Sequence, residues 1–215
     1  MERTDDLQNG LYIIQDTDMF MFGTDSVLLS KFIRLKKKQR ILDLGTGTGV
    51  LCFLLYGRCK EAFYTGIDIQ QQCIDLAKKS RALNKIESGI EFFCTDLKDF
   101  TDKEGFDIVC SNPPYERLNT GFMGGNEAVQ KSRYELTAAL EDIIACAARN
   151  LKSKGRLFII YKAERIGEFT VLCHKYGLEL KGIKPIQNSL NRPPRLLLLE
   201  AMKDGEKGVK WYAEK

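Results

Sequence analysis

Asn112-Pro113-Pro114-Tyr115 stands one residue, Ser111, behind the apolar run Phe106-Asp107-Ile108-Val109-Cys110. A run of that length, stopped by two prolines, reads as a buried strand ending in a rigid turn. Proline has no N–H to donate and fixes its own φ, so the turn is stiff and its carbonyls are left to accept. A side-chain amide, a backbone carbonyl and an aromatic ring therefore converge at the C-terminal edge of a strand. Two acceptors and a stacking face suit a flat group that carries an exocyclic NH2. Taken alone, the tetrapeptide also fits an ordinary proline turn.

A second group of residues lies upstream. Ile41-Leu42-Asp43-Leu44-Gly45-Thr46-Gly47-Thr48-Gly49-Val50 is a short apolar strand entering a glycine-rich turn and then a helix. Glycines let backbone N–H groups approach a ligand closely, and the helix N-terminus carries partial positive charge. A dinucleotide-binding turn requires G-x-G-x-x-G, and Val50 stands where its third glycine belongs, which argues against a nicotinamide-dependent oxidoreductase. The apolar run 62–67 ends on Asp68, about 20 residues past the glycines, where an acid can grip a ribose diol. The run 90–94 ends on Thr95-Asp96-Leu97, where the carboxylate can accept from an adenine amino group while the Leu97 N–H donates to the ring. Either aspartate alone equally suits a strand-end turn. Four successive strand ends with polar groups of this kind suit a nucleoside ligand beside an amino-group substrate.

The elements that must position these groups alternate. Strands at 40–44, 62–67, 90–94, 106–110 and 155–161 interleave with helices at 48–58, 70–83, 134–151 and 163–175, a pattern that predicts a parallel sheet with helices on both faces. Two β-prone runs, 178–186 and 196–201, follow with a loop too short for a helical crossover, so they are expected to pair antiparallel. Ahead of the sheet, 11–15 and 19–22 read as a hairpin around Asp16-Thr17-Asp18. A helix over 24–34 follows, capped by Thr24 or Asp25. The segment 116–131 is irregular and holds Gly121, Gly124, Gly125, Phe122 and Met123. It reads either as a binding loop or lid or as a surface insertion.

At 215 residues, with 44% hydrophobic and 29% charged residues, the chain is expected to form one soluble domain. No apolar stretch reaches the roughly 20 residues that span a bilayer, and Met-Glu-Arg-Thr-Asp-Asp is not a signal peptide. A cytoplasmic location, no membrane partner and a monomer or weak dimer are therefore expected. The seven cysteines are scattered without a C-x-x-C pair and His174 is the single histidine, so neither a metal site nor a disulfide framework is expected. Net charge is +4. Lys36, Lys37 and Lys38 form the densest basic cluster, which suits either a solvated surface or phosphate contacts.

Asp43-Leu44-Gly45-Thr46-Gly47-Thr48-Gly49, Asp68, Asp96 and Asn112-Pro113-Pro114-Tyr115 together resemble the class I S-adenosylmethionine-dependent methyltransferases that act on amino nitrogens. Phe22-Gly23-Thr24-Asp25-Ser26-Val27-Leu28-Leu29, Lys131-Ser132-Arg133-Tyr134-Glu135 and Arg192-Pro193-Pro194-Arg195-Leu196 resemble segments of the bacterial tRNA1(Val) adenine-37 N6-methyltransferases. The resemblance covers residues 12–201. It implies an α/β, Rossmann-like doubly wound sheet with an antiparallel last strand, divided into an N-terminal extension (1–39), a methyltransferase domain (40–202) and a basic tail (203–215). S-adenosylmethionine would be held by Thr24, Asp43, Leu44, Gly45, Thr46, Gly47, Gly49, Asp68, Ile69, Asp96, Leu97 and Asn112, leaving S-adenosylhomocysteine as product. Asn112, Pro113, Pro114 and Tyr115 would act on the amine, and Tyr115, Arg133 and Lys36–Lys38 would contact tRNA. A protein glutamine methyltransferase acting on release factors shares the tetrapeptide, but only about 40 residues precede the first sheet strand here. Methylation of rRNA or DNA amino groups, and a cofactor-binding protein without catalysis, are further readings.

Overall fold

The computed structural model describes residues 1–17, 23–113, 140–187 and 193–213. Eight strands form one sheet: β3 (Arg40–Leu44), β4 (Phe63–Asp68), β5 (Ile90–Cys94), β6 (Phe106–Ser111), β7 (Leu151–Lys162), β8 (Leu178–Ile186), β9 (Leu196–Lys203) and β10 (Lys210–Trp211). Their spatial order is β10-β8-β9-β7-β6-β3-β4-β5. From β5 across to β7 all neighbours are parallel, whereas β9 runs antiparallel to both β7 and β8.

Side-chain alternation along these strands splits the core in two. Ile41, Ile108, Cys110, Phe158, Ile160 and Leu198 face α1 (Thr24–Phe32), α2 (Val50–Arg58) and α3 (Gln71–Leu83). Their neighbours Leu42, Val109, Leu157, Ile159 and Leu199 face α4 (Leu140–Asn150) and α5 (Ile166–Lys175). A strand buried on both faces must be apolar at every position, which is why these runs were visible in the sequence as unbroken hydrophobic stretches.

Several boundaries differ from expectation. Tyr12–Asp16 (β2) does form half of a hairpin, but its partner is the upstream segment Glu2–Asp6 (β1), with Glu2 facing Asp16 and Asp6 facing Tyr12. β1 carries only polar side chains, so its pairing rests on backbone hydrogen bonds and leaves no hydrophobic pattern. The expected second half, 19–22, falls outside the described residues. Neither Thr24 nor Asp25 caps α1: Gly23 occupies the N-cap without a side-chain bond, and both residues lie in the first turn. β7 begins at Leu151, directly after Asn150, rather than four residues later. The final residues also pair with the sheet: β10 adds parallel to β8, with Lys210 opposite Gly182 and Trp211 opposite Ile183. Tyr212 then sets its ring edge-on against Phe32 at 5.4 Å and donates to Glu200 at 3.2 Å.

The β1–β2 hairpin is tied to α3 by hydrogen bonds that use its outer edge. The Ile14 N–H donates to Ser80 Oγ at 2.8 Å, and Ser80 Oγ donates to the Leu76 carbonyl at 2.8 Å. Asn84 accepts from the Tyr12 N–H at 2.8 Å and donates back to the Tyr12 carbonyl at 2.6 Å. Ser80 is fully buried. Ser80→Ala strands the Ile14 N–H and is expected to lower stability by about 1–2 kcal/mol. Amide exchange should accelerate at Ile14 while core amides such as Ile108 keep their protection relative to the global value. Unchanged exchange at Ile14 would show that the tether is not made.

Candidate functional site

The parallel register brings four strand ends level. Leu44 at the end of β3 faces Ile67 on β4 and Ser111 on β6, and Asp68 faces Cys94 on β5. β3 and β6 are adjacent, and the strand order runs outward in opposite directions from them. A doubly wound sheet opens its ligand crevice at that reversal, beyond the carboxyl ends of the strands. Hydrogen bonds lock the edge: Ser111 Oγ donates to the Leu44 carbonyl at 2.8 Å, the Thr46 N–H to the Ile67 carbonyl at 2.9 Å, and the Thr95 N–H to the Asp68 carbonyl at 2.9 Å.

The glycine turn 45–49 lies on this edge. Gly47 and Gly49 adopt φ of +55° and +84°, the left-handed region that glycine enters without steric cost. A Cβ on Gly49 would stand 2.6 Å from the Phe92 ring, which packs beneath the turn against Phe53. On Gly45 and Gly47, by contrast, a Cβ would meet nothing within 4 Å, so the upper surface of the turn is open to a ligand.

Two carboxylates flank the turn in different surroundings. Asp68, almost buried, accepts from the Gly47 N–H at 2.8 Å through Oδ2 and from the Gln70 N–H at 2.9 Å through Oδ1. Burial raises its pKa, and these N–H donors oppose the rise. Asp43 lies deeper. It accepts from Thr46 Oγ1 at 2.6 Å and from the Cys52 and Cys110 thiols at 3.8 and 3.9 Å. Burial pushes its pKa up to about 7; the Thr46 bond works against this, and the nearby Asp68 charge adds to it. Both thiols are buried, and burial beside Asp43 raises them well above the usual thiol range, so they pack as apolar groups. Asp96 forms a tight turn after β5, accepting from the Lys98 N–H at 2.9 Å. Leu97 is buried beside it, and Ile69 stands 42% exposed next to Asp68 as an apolar ledge.

Across the reversal point sits the turn after β6. Asn112 donates through Nδ2 to Ser26 Oγ at 2.9 Å, which commits the amide nitrogen and orients Oδ1 as the accepting end. Pro113 is buried. Ser26, itself buried, belongs to the first turn of α1, as does the exposed Thr24. Thus α1 delivers its N-terminus to the turn after β6. Pro114, Tyr115, Arg133 and the loop 116–131 lie outside the described residues.

The structure therefore gathers Asp43, Leu44, Gly45, Thr46, Gly47, Gly49, Asp68, Ile69, Asp96, Leu97 and Asn112 on one edge, with Thr24 beside them. It does not bring Lys36, Lys37 and Lys38 there. They precede β3, at the opposite edge of the sheet, where Lys37 pairs with Glu61 at 2.8 Å. Ser26 and Ser111 are positioning residues that the sequence reading missed. Ser26 lies inside the quoted segment Phe22 to Leu29, but a serine in a first helical turn ordinarily signals solvent. Among the described residues, no three His, Cys, Asp or Glu side chains converge as a metal-binding cluster, and no helix is long and apolar enough to cross a membrane.

Residues 17–177 match the family described as the methyltransferase small domain. The chain is 28% identical over 187 residues to the tRNA1(Val) (adenine(37)-N6)-methyltransferase of Phocaeicola vulgatus, covering 87% of this chain and 79% of that one. It is 26% identical over 200 residues to the protein of the same name from Cronobacter sakazakii, covering 91% and 80%. Among solved structures, an Agrobacterium tumefaciens protein described as a predicted O-methyltransferase aligns with a TM-score of 0.67 at 23% identity, over 88% of this chain and 85% of that one. A TehB-like SAM-dependent methyltransferase from Corynebacterium glutamicum aligns with a TM-score of 0.55 at 21% identity, over 83% and 86%. These two likenesses establish a shared fold.

The environment of Asp43 sets a pH dependence. Its folded pKa of about 7 exceeds the unfolded value of 3.8, so between those values the folded protein binds more protons than the unfolded chain. Stability is then highest below pH 4 as far as this group is concerned, and it is lost as pH rises towards 7. Asp43→Asn removes that loss. Relative to wild type, the variant is expected to gain on the order of 1–4 kcal/mol between pH 4 and 8 in urea unfolding of the ligand-free protein. A difference that does not change with pH would contradict a protonated Asp43.

Proposed function

The chain belongs to the methyltransferase small domain family, and from that premise we propose that it transfers the methyl group of S-adenosylmethionine to N6 of an adenine in tRNA. The observation that carries this reading is the placement of Asn112, held by Ser26, directly across the strand-order reversal from the glycine turn and Asp68. One side of the crevice offers open backbone at Gly45 and Gly47, a carboxylate and the Asp96-Leu97 turn. That donor set fits a ribose, an adenine and an amino-acid tail. The other side offers the amide and proline carbonyl that an exocyclic amine needs.

S-adenosylmethionine supplies a methyl group on a positively charged sulfur. What the chain does is positioning. Adenine N6 is a poor nucleophile because its lone pair is delocalised into the ring. Accepting its two hydrogens at Asn112 Oδ1 and the Pro113 carbonyl favours a tetrahedral nitrogen and frees the lone pair for in-line attack. The nitrogen becomes positive as the bond forms and loses its proton readily, so no strong base is required. Catalysis then comes from orientation and preorganised acceptors. We assign to Tyr115 the stacking face for the extruded base, since unstacking in an anticodon loop costs little. The relatives from Phocaeicola vulgatus and Cronobacter sakazakii are named for adenine 37 of tRNA1(Val), and that nucleotide is the specific acceptor we propose.

Two measurements test the reading. S-adenosylhomocysteine should raise the melting temperature and NAD should not, and Asp68→Ala should weaken S-adenosylhomocysteine by roughly 1.5–3 kcal/mol through loss of a charged acceptor. Incubation with labelled S-adenosylmethionine, offering total tRNA, rRNA and release factor side by side, should put label into N6-methyladenosine of tRNA. Label found only in methylglutamine would overturn the tRNA assignment.

A further inference from the structure

β7 and β8 run parallel to β6, so their C-terminal ends share its edge, and β9 starts there. Ser111 faces Ile159, and three residues further along β7 comes Lys162. Lys162 faces Leu196, which also faces Ile186 on β8, while Ile160 shares its row with Leu198 and Lys184. Arg195 immediately precedes Leu196 and accepts the Ala163 N–H through its carbonyl at 2.9 Å. Lys162 follows Ile160, and Lys184 lies between Ile183 and Ile186, so alternation puts both on the sheet face packed by α1. That is the face on which Asn112 meets Ser26. Lys162 and Lys184 therefore share this face across β7 and β8, and Arg195 stands at the same sheet edge where β9 begins, a basic ridge starting one strand from Asn112 and spanning about 10 Å at the usual strand spacing.

The pairing of charges differs between the two edges of the sheet. At the N-terminal edge, Arg40 is bound by Asp102 and Glu104, Lys152 by Asp107 and Lys37 by Glu61. Lys60 and Lys103 there are interleaved with the same acids in sequence, and Lys36 and Lys38, which form no ion pair among the described residues, flank the paired Lys37 far from the turn that holds Asn112. On the ridge, Lys162 has only Glu164 at 3.9 Å, and Lys184 and Arg195 have no ion pair among the described residues. The connecting sequence 188–192 contains no Asp or Glu. Three cations grouped beside this turn, two without an ion pair among the described residues and one held only by Glu164 at 3.9 Å, carry a standing positive potential, which complements a line of phosphates.

We infer that Lys162, Lys184 and Arg195 form a phosphodiester-binding ridge that grips the RNA backbone next to the nucleotide whose base enters the crevice. This rests on the RNA reading above and adds to it the surface that holds the strand. It replaces Lys36–Lys38, which lie on the wrong edge, as the principal electrostatic contact. A backbone contact of this kind confers affinity without reading sequence.

The test is binding of fluorescein-labelled tRNA to the full chain with S-adenosylhomocysteine present, followed by anisotropy across about 50–300 mM KCl. The triple variant Lys162→Gln, Lys184→Gln and Arg195→Gln is compared with wild type and with a control, Lys60→Gln, Lys78→Gln and Lys103→Gln, of equal charge. Melting curves and S-adenosylhomocysteine affinity verify that each variant is folded. The ridge variant should bind at least tenfold more weakly at low salt and lose about 2 from the slope of log affinity against log salt, at roughly 0.7 per lost single-strand contact. The control should keep the wild-type slope. Equal slopes for the ridge variant and wild type overturn the ridge while leaving the RNA reading intact. A wild type that binds no tRNA at the lowest salt overturns both. Reduced transfer to a release factor, with tRNA binding unchanged, would assign the ridge to an acidic protein and overturn the inference.

Discussion

The Asp68 carboxylate joins the glycine turn after β3 to the start of α3 along one wall of the crevice. One oxygen accepts from Gly47 in the turn after β3 and the other from Gln70 at the start of α3. Without those acceptors, the Gly47 and Gln70 N–H groups would lose their partners, and the turn 45–49 would lose the side-chain bond that ties it to the end of β4. The arrangement costs electrostatic energy. Asp43 is buried close by, and two carboxylates sharing a site disfavour simultaneous ionisation. The conflict is resolved by depth: Asp68 receives backbone donors and sits at the rim, whereas Asp43 sits below with a hydroxyl and two thiols and is pushed up to about 7.

Everything else at the site follows from strand ends being level. Parallel pairing places Leu44, Ile67 and Ser111 in one row, so the turns that follow them project from the same edge. Ser111 contributes by donating to Leu44, stitching β6 to β3 where the crevice opens. α1 completes the opposite wall: its core residues Leu29 and Ile33 anchor it to the sheet, and Ser26 at its start meets Asn112. The Asn112 amide is thereby oriented by the packing of a helix outside the alternating β/α pattern.

The parts of this fold that bury apolar surface were legible in the sequence. β3, β5 and β8 fall on the expected residues, and β4 and β6 within one residue, because runs of apolar, β-prone residues mark them. Glycines at 45, 47 and 49 and the acids at strand ends were legible for a related reason: special backbone angles and rim carboxylates leave few alternatives to those residue types. Elements held by backbone hydrogen bonds alone were not. β1 is entirely polar, and β10 is two exposed residues on the edge of the sheet. Ser26 and Ser111 escaped because a hydroxyl that bridges segments 67 or 86 residues apart leaves no local pattern. That Lys36–Lys38 lie at the opposite edge from Asn112 was not legible, because sequence shows charge without showing which end of a strand carries it.

The central claim is that Asn112 acts on the acceptor amine rather than on the cofactor. It is tested most directly by a single-turnover measurement of methyl transfer to tRNA with Asn112→Ala, alongside calorimetric binding of S-adenosylhomocysteine to the same preparation. The account predicts cofactor affinity within about twofold of wild type and a transfer rate lower by about a hundredfold or more, the loss typical of one preorganised polar contact. A transfer rate equal to wild type, or a loss fully explained by weaker cofactor binding, would contradict it.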